Sequence, residues 1–124
     1  MPMRQFSHTV TVDDTAARVG TGDLEVLATP RLIAWCERAA FDVCRASVEG
    51  DRTTVGTYVK FEHVKGSPVG AEVLVQCAEP ISDGRRLVCF VSVTDAQGED
   101  LGHGELHRAV VDAERFMSKC QRIA

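Results

Sequence analysis

Between Ala28 and Cys44 the chain carries its one long run of helical periodicity, and most of the chain beyond Cys44 alternates with a period of two. Leu32, Ile33, Cys36, Ala40, Val43 and Cys44 recur at the spacing of one helix face. Thr29 stands where an N-cap is expected. Pro30 occupies the first helical position, where a missing N–H costs no hydrogen bond. Arg31, Arg38, Asp42 and Arg45 gather on the opposite side. A single amphipathic helix among amphipathic strands must bury its stripe against the apolar face of a sheet. The expected class is α+β, with one long central helix wrapped by a strongly twisted antiparallel sheet.

Strand signals lie on both sides of the helix. Phe6, His8, Val10 and Val12 alternate with Ser7, Thr9 and Thr11 in a first strand that Asp13-Asp14 ends, and Thr15 to Val19 reads as a short second one. Gly20 to Asp23 is a loop, and Leu24 to Leu27 leads into the helix. From Thr53 to Val64, Val55, Thr57, Val59, Phe61 and His63 share one face, while Thr54, Tyr58, Lys60 and Glu62 share the other. Ala71, Val73, Val75 and Cys77 form the next inner face, and Leu87, Cys89, Val91 and Val93 the third. Asp83-Gly84 signals a tight hairpin between them. Leu101 to Val111 is the last strand, and Asp112 to Cys120 closes with a helical turn or two. The four later strands predict an antiparallel meander. Its open edges favour pairing of two subunits in a symmetric dimer.

Two residues break apolar faces. Glu37 lies four after Ile33 and three before Ala40, roughly 40° from Ile33 at about 100° per residue. A carboxylate held there without a partner costs several kcal/mol or rises in pKa, which marks it as a functional candidate. The bland alternative is a stripe-edge Glu that reaches back to water. His63 is aligned with Val59 and Phe61, either as a functional group or as a satisfied core histidine.

The 124 residues, 44% of them apolar, suit one domain over 1–124 with a real core. A net charge of -4 without a basic run argues against nucleic acid. The apolar runs are far too short for a membrane span, and Met1 to Phe6 lacks the apolar segment of a signal peptide, so a cytoplasmic location is expected. Cys36, Cys44, Cys77, Cys89 and Cys120 have neither CxxC nor metal-type spacing, which suits reduced core thiols and no metal. A nucleophilic Cys36 beside Glu37 is the minor alternative.

Taken together, Ala28-Thr29-Pro30, Glu37, Thr54-Val55-Gly56-Thr57 and His63 resemble the hotdog-fold acyl-CoA thioesterases of the fluoroacetyl-CoA thioesterase type. Gly102-His103-Gly104-Glu105-Leu106-His107-Arg108-Ala109-Val110-Val111 and Glu114-Arg115-Phe116 resemble that family's last strand and C-terminal end. The similarity runs from about Phe6 to Lys119. It implies Thr29, Glu37 and His63 as the catalytic constellation, with Gly56 and Arg108 near the thioester and acyl end. It also implies a homodimer with sites at the subunit interface, or a higher oligomer built from it, that hydrolyses acyl-CoA to free acid and CoA. No cofactor is implied, CoA being part of the substrate.

These residue types suit the reaction. Thioester hydrolysis needs a nucleophile, a base and a means of holding the developing oxyanion. A Glu in apolar surroundings can act as base or attack directly, and a His can orient it or shuttle a proton to the thiolate. Taken singly, Thr29 also reads as a plain N-cap, Gly56 as a bulge or packing point, and Arg108 as a solvated charge. Fluoroacetyl-specific members carry an aromatic lid residue shortly before the threonine, whereas Gly20-Thr21-Gly22-Asp23-Leu24-Glu25 has none. A different acyl group of short or medium length is therefore expected. The competing readings are a non-catalytic acyl-CoA or small-acid binding module and, behind it, an enoyl-thioester hydratase.

Overall fold

A computed structural model of the chain describes residues 3–123. Six strands form one antiparallel sheet: β1 (Arg4–Thr9), β2 (Arg52–His63), β3 (Glu72–Cys77), β4 (Ile81–Asp83), β5 (Arg86–Asp95) and β6 (Asp100–Asp112). The helices are α1 (Ala16–Val19), α2 (Thr29–Cys44) and α3 (Ala113–Ile123). The sheet runs β1-β3-β5-β6-β2, with β4 paired to β5. The long central helix and wrapping sheet are those of the hotdog architecture.

The core is the contact between α2 and the inner face of the sheet. Leu32, Cys36, Ala39, Ala40, Val43 and Cys44 are buried on the helix, against Val73, Val75, Cys77, Leu87, Cys89, Val91, Val93 and Leu106. The expected stripe is thus shifted slightly: Ile33 is only half-buried, and Ala39 joins the core. At about 25 cal/mol per Å² of apolar surface removed from water, this contact is the main term holding helix to sheet.

Five expectations need correction. The later strands are no meander, because β2 lies at the edge beside β6 and the connection from β2 to β3 crosses the sheet. β2 and β6 have 12 and 13 residues, so their pairing satisfies more backbone groups than pairing β2 with the six-residue β3 would. The segment after Thr15 is helical: the Thr15 hydroxyl accepts from Arg18 N–H at 3.3 Å, and Gly20 at φ 92° ends the turn. The first strand ends at Thr9, since Asp14 accepts from the Thr11 N–H and hydroxyl and turns the chain.

The fourth concerns the faces of β2. Register slips between Gly56 and Tyr58, leaving Thr57 as an extra residue, a β-bulge. Thr54 and Gly56 face the helix before it, and Val59, Phe61 and His63 after it, so Val55 and Thr57 do not share the latter's face. Closing the chain, α3 is three turns long rather than one or two, with all but Phe116 of its described side chains exposed.

Candidate functional site

Thr29 is not the N-cap of α2. Ala28 holds that position, and Thr29 and Pro30 are the first helical residues. With no capping duty, the Thr29 hydroxyl meets His63 Nδ1 at 2.7 Å. His63 ends β2 opposite Gly102. Burial lowers its pKa, partly offset by the backbone at Lys65, so the imidazole is neutral at neutral pH. Its Nε2 is buried and has no hydrogen-bond partner among the described residues. If the hydroxyl donates to Nδ1, Nε2 carries the proton and can donate a hydrogen bond; in the other tautomer Nε2 is a base. A cavity of about 300 Å³ opens beside the pair, walled by Val26, Leu27, Pro30 and Val64.

Glu37 lies two turns further along α2, beside Gly56 and Arg108. Its carboxylate is not unpartnered: Arg108 Nη1 donates to Oε1 at 3.4 Å, with the side chains 9% and 31% exposed. Arg108 is a buried cation rather than a solvated one. Its Nε donates to Thr54 Oγ1 at 2.9 Å, its Nη2 donates to the Thr54 carbonyl at 3.1 Å, and its guanidinium lies 5.5 Å from the centre of the Phe41 ring. Gly56 is both a bulge residue and a close approach. A Cβ added there would stand 2.7 Å from Glu37 Oε2. The absence of a side chain is what lets the carboxylate lie against the strand.

The five predicted residues thus form two groups. Thr29 and Glu37 are eight residues apart on one helix, about 12 Å at 1.5 Å per residue. Gly56 and His63 are seven apart on β2, about 20 Å after allowing for the bulge. Within one chain, then, the Thr29–His63 pair and the Glu37–Gly56–Arg108 group lie in opposite halves of the same edge strand. Sequence reasoning missed Thr54, whose hydroxyl and carbonyl hold Arg108, and Phe41 beneath it. The bulge hid Thr54, because unbroken alternation turns it outward.

Other chemistry-bearing side chains are committed elsewhere. Cys36 is buried, and burial and the neighbouring Glu37 push its thiol up to about 12, so it is no thiolate nucleophile. Lys65 is held by Asp95 and Glu99, each at 3.0 Å. His8 stacks on Trp35 with ring centres 4.2 Å apart. No group of three or more potential metal ligands occurs among the described residues, and no described helix is long and apolar enough to cross a membrane.

Comparison with known proteins bears on this geometry. A fluoroacetyl-CoA thioesterase of Streptantibioticus cattleyicolor is 31% identical over 98 residues, covering 79% of this chain and 70% of that protein. The crystal structure of the fluoroacetyl-CoA thioesterase FlK superposes with a TM-score of 0.88 at 25% identity, over 99% of this chain and 95% of that one. A Thermus thermophilus hypothetical protein of the thioesterase superfamily shares the fold, with a TM-score of 0.90 at 20% identity over 98% and 90% of the two chains. Residues 10–114 match the fluoroacetyl-CoA-specific thioesterase family as a whole. By that match and by the identity to its Streptantibioticus relative, the chain belongs to this family of thioester hydrolases.

Proposed function

We propose that the protein hydrolyses an acyl-CoA thioester to free acid and CoA as a cytoplasmic homodimer, at a site built from Thr29 and His63 of one subunit with Glu37, Gly56 and Arg108 of the other. The carrying observation is the division of these residues between the two halves of β2, an edge strand. Antiparallel pairing of two β2 edges about a two-fold axis runs the His63 end of one strand toward the Gly56 end of its neighbour. Tyr58 and Val59, exposed mid-strand, lie where such an edge would be covered.

In this arrangement Glu37 removes a proton from water as the new C–O bond forms, or attacks the carbonyl directly to give a mixed anhydride that water then hydrolyses to the free acid and Glu37. Free N–H groups of the first turn of α2 favour the negative charge that develops on the carbonyl oxygen. As the C–S bond breaks, the Nε2–H of neutral His63, with Nδ1 fixed by Thr29, hydrogen-bonds the departing thiolate, which takes up the proton released from the attacking water. Arg108 holds Glu37 in place and faces the acyl end. The segment 20–25, without an aromatic side chain, favours a short or medium acyl group other than fluoroacetyl.

Subunit exchange tests this reading. Glu37→Gln and His63→Ala are each expected to abolish CoA release while folding normally. Mixed and allowed to exchange, they form heterodimers in which one of two sites has both native groups. Random exchange makes half the dimers heterodimeric, so about a quarter of wild-type activity returns. No recovery, with exchange verified, refutes the shared site. Full activity in both single variants refutes the constellation. Saturable acyl-CoA binding without any thiol release would favour the binding-module reading.

A further inference from the structure

In a chain of net charge -4, four cations converge on one cavity at the end of the sheet. Arg52 starts β2, Arg85 sits in the turn before β5, and Arg115 and Lys119 are one turn apart on α3. The cavity measures about 220 Å³, with Val110 and Phe116 as its apolar wall. Arg18, Arg31, Arg38, Lys65, Arg86 and Arg108 are each paired with a carboxylate. Among the described residues, the side chains of Arg52, Arg85, Arg115 and Lys119 make no ion pair or hydrogen bond. Asp112 is the one acid lining the cavity, and its Oδ1 accepts from the Arg115 backbone N–H at 2.9 Å. Four cations against one carboxylate repel one another, and a polyanion removes that repulsion.

The position of the cavity matters as much as its charge. Val110 pairs across the strands with Thr54, the residue that holds Arg108. Arg52 is four residues before Gly56 on β2, about 13 Å along an extended strand. An extended pantetheine arm of ordinary single bonds spans about 15 Å. With its thioester at Gly56 and Glu37, an acyl-CoA reaches this cavity with its phosphates.

We propose that the cavity binds the 3′-phosphorylated ADP end of the acyl-CoA; the assignment rests on the hydrolase reading above and extends it. Guanidinium groups suit phosphate oxygens because their forked N–H donors match two acceptors at once. The Phe116 ring offers the purine an apolar face.

The test is calorimetric titration with adenosine 3′,5′-bisphosphate, which contains no thioester. The intact protein is expected to bind it, more weakly as salt is raised. Arg85→Ala and Arg115→Ala each weaken binding roughly tenfold, the scale of one charge-assisted hydrogen bond. Both positions are exposed, and circular dichroism checks their folding. Arg86→Ala is the control: one residue from Arg85, it is committed to Asp83 at 2.6 Å and should leave binding intact. In the Arg115→Ala variant, the preference for an acyl-CoA over the same acyl group on N-acetylcysteamine also falls about tenfold. No binding by the wild-type protein, or undiminished binding in both cavity variants, overturns the assignment. Binding that both variants weaken, in a protein that hydrolyses no thioester, upholds the cavity and removes the hydrolase reading instead.

Discussion

Gly56→Ala isolates the contact between strand and carboxylate. The added methyl would stand 2.7 Å from Glu37 Oε2, where ordinary contact begins at 3.4 Å, a shortfall of 0.7 Å. Gly56 has no positive φ, so alanine is compatible with the backbone and lowers the entropy of the unfolded chain. Glu37 is 31% exposed and has room to swing outward, so the fold absorbs the collision by moving the carboxylate rather than the strand. The net stability change should be within about 1 kcal/mol, with the alanine gain of about 0.4–1 kcal/mol set against the crowding. Activity should respond more sharply. A misplacement of about 1 Å at a reacting group costs on the order of a hundredfold in rate, so a shift of about 0.7 Å should cost roughly ten- to a hundredfold in kcat. CoA release followed by chromatography is the assay, because five cysteines would react with a thiol dye. A folded Gly56→Ala protein with kcat within about twofold of wild type would refute the role given to this contact.

The same geometry makes three further predictions. Thr29→Ala should lower kcat by about a hundredfold through loss of the His63 Nδ1 contact, yet cost well under the roughly 1 kcal/mol of a lost N-cap in urea titration. Arg108→Met should destabilise by about 2 kcal/mol by the same measure, because Glu37 and the Thr54 carbonyl both lose their donor; Glu37→Gln, which leaves Arg108 bonded to Thr54, should cost less. His63 has a folded-state pKa below its unfolded value of about 6.5, so the unfolded chain binds the extra proton first and stability falls as pH drops from about 6.5 through the folded pKa. A Tm–pH profile of His63→Ala should lose that part of the acid slope, and an unchanged slope would remove His63 as its source.

The helix and the individual strands are legible in the sequence because their information is local: a 3.6-residue stripe on α2 and a period of two in β2, β3, β5 and β6. The strand order is not, because the choice of β6 over β3 as the neighbour of β2 depends on matched strand lengths far apart in the chain. The bulge at Thr57 is a defect of one residue in a run that otherwise alternates, and periodicity averages over it. Its consequence is large. It turns Thr54 and Gly56 to the helix side while keeping Val59 and His63 there, so one strand presents functional groups to the interior from both halves. Had alternation held, Thr54 would face solvent, Arg108 would lack two of its three acceptors, and a methyl-bearing residue would fit at position 56.

Glu37 and Thr29 show how a sequence can point to the right residue for an incomplete reason. Glu37 stands out as a carboxylate on an apolar stripe, and the unpartnered charge implied there would be costly. Its partner comes from 71 positions away, where Arg108 is itself secured by Thr54 and Phe41. Thr29 reads as a cap because a threonine before a proline at a helix start usually is one. The helix begins one residue earlier, and that single step leaves the hydroxyl to His63, 34 residues away. In both cases the local pattern locates the side chain and a distant segment decides its work. The separation of these two groups within one subunit is what turns the unpaired β2 edge into part of the proposed chemistry: a partner strand would satisfy its backbone and, in the same step, bring His63 to the carboxylate.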